Sequence, residues 1–164
     1  MAPFFVLVLG LAAAVVLDVR TRRIPNWLTA GIAAAGFGIS AGGGHVSVAQ
    51  AALGMTIGLA LMLPGHIIGA TGAGDVKLMA AVGAVVGPVP IVRVFLYSAI
   101  AGGAIAIAIA VRRGLVQETF FATTRLVTSP LDARQAIESS GRANRFAYGP
   151  AIAAGTLLSF MVHL

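Results

Sequence analysis

Apolar runs fill most of this 164-residue chain, and charge enters almost only where one run gives way to the next. Hydrophobic residues make up 59% of it and charged residues 10%, for a mean hydropathy of +0.97. A water-soluble domain of this length needs far more polar surface than that. The chain therefore reads as an all-α polytopic membrane protein. Helices are the only spanning element that fits, because backbone polar groups in lipid need internal partners and the alternating pattern of a membrane barrel is missing.

Six apolar segments, at about 3–17, 27–41, 47–69, 76–87, 91–111 and 147–164, predict a six-transmembrane-helix bundle forming a single domain over 1–164. The start of the chain lacks the basic stretch of a cleavable signal peptide, so Met1 to Leu17 is expected to stay as the first span. Segments two and four fall short of the ~20 residues that cross a hydrocarbon core. A short fourth helix of some dozen residues reaches only about 18 Å. Its start is expected below the headgroups, in a water-accessible recess that avoids mismatch with the lipid. Gly54, Gly58, Gly83, Gly87, Gly102 and Gly103 are expected to let helices pack closely. In the loop at about 112–146, Ser129-Pro130 and Gly141 bracket a short predicted surface helix.

Charge sets the orientation. With the N-terminus outside, Arg20, Arg22, Arg23, Lys77, Arg112, Arg113, Arg125, Arg134, Arg142 and Arg145 fall on the cytoplasmic side, leaving only Arg93 of the 11 basic residues opposite. That bias is strong under the positive-inside rule. It also accounts for a pI near 11.4 without nucleic acid: the basic residues serve topology and contact with anionic lipid. Cysteine is absent, which excludes disulfides, thiol catalysis and cysteine-based metal sites. His45, His66 and His163 lack metal-ligand spacing, so neither a metal nor an organic cofactor is expected. Trp27, Tyr97 and Tyr148 read as interfacial anchors near segment ends.

Two of the five acidic residues stand where charge is most costly. Asp18 ends the run Phe4 to Leu17, and Asp75 stands in Gly72-Ala73-Gly74-Asp75-Val76-Lys77, just before Leu78 to Val86. Ionisable groups at membrane depth are functional candidates by default, and the topology puts both on the cytoplasmic face. The glycines before Asp75 permit close backbone approach, and a helix start favours its anion. Burial and a second carboxylate favour a shared proton. Those are the conditions of an aspartyl dyad, in which one carboxylate activates water and the other polarises a carbonyl. The plainer alternative is a pair of interfacial carboxylates neutralised by Arg20, Arg22 or Lys77. Lys77 either tunes the dyad or simply snorkels to the headgroups.

The string Asp18-Val19-Arg20-Thr21-Arg22-Arg23-Ile24-Pro25-Asn26-Trp27-Leu28-Thr29 resembles the first signature of the type IV prepilin peptidases. Gly72-Ala73-Gly74-Asp75-Val76-Lys77-Leu78 resembles their second, the GxGD motif. Tyr148-Gly149-Pro150-Ala151-Ile152-Ala153 is similar to a third stretch that opens their last helix, with Ala147 where many members have proline. The resemblance covers essentially the whole chain. It implies a bacterial inner-membrane aspartic endopeptidase that removes the basic leader of prepilins and pseudopilins at the cytoplasmic face, with Asp18 and Asp75 as the catalytic pair. Gly72, Gly74, Lys77, Ile24, Pro25 and Asn26 are then the supporting motif residues. Larger members carry a cysteine-bearing cytoplasmic domain and also methylate the new N-terminus. This chain has neither the cysteines nor the room, so it resembles the compact, peptidase-only form of tight-adherence (Flp) pili. Acidic residues suit a basic leader, which makes Glu118, Asp132 and Glu138 candidates for recognising it. The competing readings are a small proton-coupled transporter or channel subunit and a structural subunit of a pilus or secretion assembly.

Overall fold

The shortest expected span turns out to be the centre of the molecule. In the computed structural model, which describes residues 2–67, 71–112 and 148–162, six helices occur. They are α1 (Ala2–Thr21), α2 (Asn26–Ala41), α3 (Val48–Ile67), α4 (Ala73–Val86), α5 (Pro88–Arg112) and α6 (Gly149–Met161). All described secondary structure is helical. Three of the helices, α1, α3 and the Pro88–Ile109 part of α5, are long and apolar enough to cross a membrane. The others have 16, 14 and 13 residues.

From Leu78 to Val86 helix α4 is apolar all round, the pattern of a helix enclosed on every side. Leu78, Met79, Val82 and Ala84 are wholly buried, and α4 packs on every other helix, most extensively on α3 and α2. The surrounding core comes from Leu7, Leu11 and Ala14 of α1, Leu28 and Ile32 of α2, Met62 of α3, Ile91 and Val94 of α5, and Ile152 of α6. The outer helices expose large apolar side chains instead, Leu9, Leu53 and Ile100 among them. The short central helix thus packs against the three helices long enough for lipid and against the two that are not.

Glycines set how closely the layers approach. A Cβ on Gly54 would fall on the carbonyl of Gly83, and one on Gly83 would fall on the carbonyl of Gly54. One on Gly58 would lie 2.6 Å from the Met79 carbonyl oxygen. These are the close crossings expected of small residues. Gly102 likewise makes room for the Tyr148 ring. Gly87 has another task, closing α4 at a φ of 85°, and a Cβ on Gly103 would meet open space.

Several boundaries differ from the sequence reading. Helix α1 runs through Asp18 to Thr21, so Asp18 lies inside its last turns. The Thr21 hydroxyl donates to the Leu17 carbonyl, and Arg22, at a left-handed φ of 51°, ends the helix. Helix α4 begins at Ala73, with Asp75 in its first turn rather than ahead of it. Pro88, Val89 and Pro90 form the first turn of α5, where a missing N–H costs nothing. A reciprocal Ser47–Gln50 capping box opens α3. The predicted surface helix over 129–141, together with Glu118, Asp132, Glu138 and His163, lies outside the described residues.

Candidate active site

Asp18 reaches the site from the end of α1 and Asp75 from the start of α4. Both are buried, at 6% and 7% exposure. The helices that carry them touch: α1 packs on α4, and α4 packs on α6, which opens after Tyr148. Arg22 bears electrostatically on Asp18 from the turn that follows.

Each carboxylate accepts one glycine N–H through its Oδ2. The Gly72 N–H donates to Asp75 at 3.0 Å, and the Gly149 N–H donates to Asp18 at 2.9 Å. The first bond closes half a capping box, because Gly72, the residue before α4, has no side chain to return it. The second spans the fold. Both donors belong to helix starts, whose unpaired N–H groups and dipoles favour negative charge.

The supporting motif residues meet as well. A Cβ on Gly74 would lie 3.1 Å from the Cβ of Ile24, so the glycine lets the turn after α1 rest on the start of α4. Ile24 itself is buried. Pro25 is extended, with φ −70° and ψ 144°, and its carbonyl accepts from Leu28 as α2 begins. Lys77 Nζ donates to Asn26 Oδ1 at 2.9 Å. Two contacts therefore stitch the first motif to the second, and Lys77, read from the sequence as tuning the dyad or snorkelling, also binds the Asn26 amide.

Three contacts had no counterpart in the sequence reading. The Gly149 N–H is one. Tyr148 is the second: its hydroxyl donates to the Ser98 carbonyl at 3.2 Å. In the third, the ring Nδ1 of His66, as its N–H tautomer, donates to the Thr71 carbonyl at 3.0 Å, while the Thr71 N–H donates to Gly65. This fastens the residues before Gly72 to the end of α3. Only the Tyr148-Gly149-Pro150 string carried any signal for these contacts, and it gave no hint of what Gly149 would touch.

The arrangement offers two buried carboxylates at one end of a helical bundle, each held through one oxygen. Such a pair can share a proton and activate water. The family model for the type IV leader peptidase family matches residues 5–107, a stretch that includes Asp18, Asp75 and all six supporting motif residues. Comparisons with curated proteins and with solved structures each returned no match. With its family model covering well over half of the sequence, the chain belongs to the type IV leader peptidase family.

Proposed function

We propose that the chain is a membrane-embedded aspartic endopeptidase that cuts the leader from Flp-type prepilins and pseudopilins at the cytoplasmic face of the bacterial inner membrane. The observation that carries this reading is that Asp18 and Asp75 are both buried and each accept an N–H from a glycine at a helix start, in a chain of the leader peptidase family. In the proposed reaction one carboxylate takes a proton from water, and the hydroxide attacks the scissile carbonyl. The other, protonated, donates a hydrogen bond to the carbonyl oxygen as charge develops there. The tetrahedral intermediate collapses as the leaving amine takes up a proton, and the dyad is restored. No metal or organic cofactor is needed for these steps, and methyl transfer is not part of the reading.

The proposed topology has six crossings with the N-terminus outside. Helices α2, α4 and α6 cross as short spans sheltered by the longer ones. Arg20, Arg22, Arg23, Lys77 and Arg112 then share the cytoplasmic end with the dyad, and Arg93, near the start of α5, faces the other side. That agrees with the positive-inside rule. A proton-coupled transporter would need a chain of polar groups through the bundle. The buried hydroxyls of Ser40, Ser98 and Thr156 instead donate to carbonyls of their own helices.

Co-expression with a candidate prepilin, followed by the mobility shift of processing, tests the proposal. Asp18→Asn and Asp75→Asn are each expected to lower cleavage by about 10⁴-fold, the scale seen when a residue of a cooperating catalytic set is removed. Both variants should remain inserted in the membrane. Full processing by either one removes the dyad.

A further inference from the structure

The region matched by the family model ends at residue 107, yet Asp18 is held by a residue beyond it. We propose that Gly149 is a positioning residue of the cleavage reaction: the start of α6 sets the orientation of the Asp18 carboxylate. The proposal rests on the reading of Asp18 and Asp75 as the catalytic pair.

Three observations support it. The Gly149 N–H donates to Asp18 Oδ2 at 2.9 Å across 131 residues of sequence. The carboxylate it holds is only 6% exposed, so the direction of the bond decides where the second oxygen points. Next, a side chain at this position would have to push Asp18 aside. A Cβ on Gly149 would lie 2.7 Å from Asp18 Oδ2 and 3.2 Å from its Cγ. The displaced group would be the proposed reacting carboxylate itself. The glycine is not there to permit an unusual backbone, because positive φ among the described glycines is confined to Gly43 and Gly87. Its lack of a side chain serves the approach of Asp18.

Finally, the start of α6 is anchored independently of Asp18. The Tyr148 hydroxyl donates to the Ser98 carbonyl, its ring lies where a Cβ on Gly102 would be 2.6 Å away, and further along α6 Gly155 lies directly against Ser98. Helix α5 therefore fixes the first turn of α6, and that turn fixes Asp18. The direction of influence runs from the bundle to the carboxylate.

The test is steady-state cleavage of a purified prepilin by the full-length enzyme in detergent, normalised to enzyme that elutes as a folded species. For Gly149→Ala, kcat is expected to fall by about 100-fold, the scale of a small misplacement of a reacting group. KM is expected to stay within about twofold, since substrate binding does not use this bond. Pro150→Ala, which keeps the Gly149 N–H and adds nothing beside Asp18, should lower the melting temperature with kcat near wild type. Tyr148→Phe removes the anchor bond but keeps the ring, and is expected to lower kcat about threefold. A Gly149→Ala enzyme with wild-type kcat per folded molecule overturns the proposal. So does an equal loss of kcat in Pro150→Ala, because the effect would then be that of a loosened helix. The catalytic pair and the positioning role can be tested apart. Inactive Asp18→Asn and Asp75→Asn with an active Gly149→Ala sink only the positioning role, whereas active aspartate variants sink the dyad whatever Gly149 does.

Discussion

Asp75 and Asp18 are equally buried and each accepts one glycine N–H, but the support comes from opposite distances. Asp75 is held by Gly72, three residues earlier in the same turn. Asp18 is held by Gly149, 131 residues later and on another helix. One half of the proposed dyad is therefore shaped by a local string, and the other exists only once the bundle has assembled. Damage to helix packing should reach Asp18 first. Damage to the Gly72-to-Asp75 turn should stay with Asp75.

The largest expected effect belongs to the scaffold that both halves share. Gly54 and Gly83 let the backbones of α3 and α4 touch, each standing where a Cβ would strike the other's carbonyl. Gly83→Val has no flexible neighbour to push aside, so the helices must part. A cost of about 3 kcal/mol is expected, at the top of the usual range for overpacking. Thermal melting in detergent, with the yield of inserted protein, reads it. A normal melting temperature would mean that the crossing is looser than described, and the distinction between local and distant support would lose its frame.

How far the sequence carried follows the same division. The six helical segments were legible because apolar runs in lipid leave little alternative to helices. The close crossings at Gly54, Gly58, Gly83 and Gly102 were legible from small residues, whereas those at Gly10, Gly36 and Gly155 were not named. The ends were not legible. Reading a span as stopping at its first charge cut α1 short before Asp18, although nothing in Asp18-Val19-Arg20-Thr21 opposes a helix. Treating proline as a breaker excluded Pro88 and Pro90 from α5, although first-turn prolines give up no needed hydrogen bond. The motifs named both aspartates and their near neighbours. They could not show that Asn26 meets Lys77, or that Tyr148 faces Ser98, because those contacts depend on which helices lie side by side.

Within the site, Gly72→Ala and Gly74→Val sharpen the contrast with Gly149. At φ −76° and ψ 151°, position 72 accepts any residue, and the N–H that holds Asp75 survives the change. The new Cβ would lie 3.1 Å from Asp75 Oδ2, against 2.7 Å for Gly149 and Asp18. Cleavage by Gly72→Ala is therefore expected to fall only about tenfold, less than the loss from a full misplacement. Gly74→Val should also cost about tenfold by lifting the Ile24 turn from α4, which shifts the two aspartates relative to each other. If Gly72→Ala proves as damaging as Gly149→Ala, local and distant support are equivalent and the comparison fails.

The smallest effect is expected where the two halves are joined at the surface. Lys77 Nζ and Asn26 Oδ1 are 2.9 Å apart, and both residues are exposed, so water competes for each partner. A bond to a charged donor contributes more than a neutral one, but exposure brings it back to about 1 kcal/mol. Lys77→Met keeps the apolar stem and removes the ammonium, while Asn26→Ala removes the acceptor. Each single change should slow cleavage about threefold, and the double change should be no worse than either, since the second removes nothing that is still present. That non-additivity is the quantity to measure, in a double-mutant cycle on kcat/KM. Full additivity would mean that the bond does not form in the working enzyme. The turn carrying Ile24 would then rest on α4 through Gly74 alone, and Asp18 would depend still more heavily on the distant Gly149.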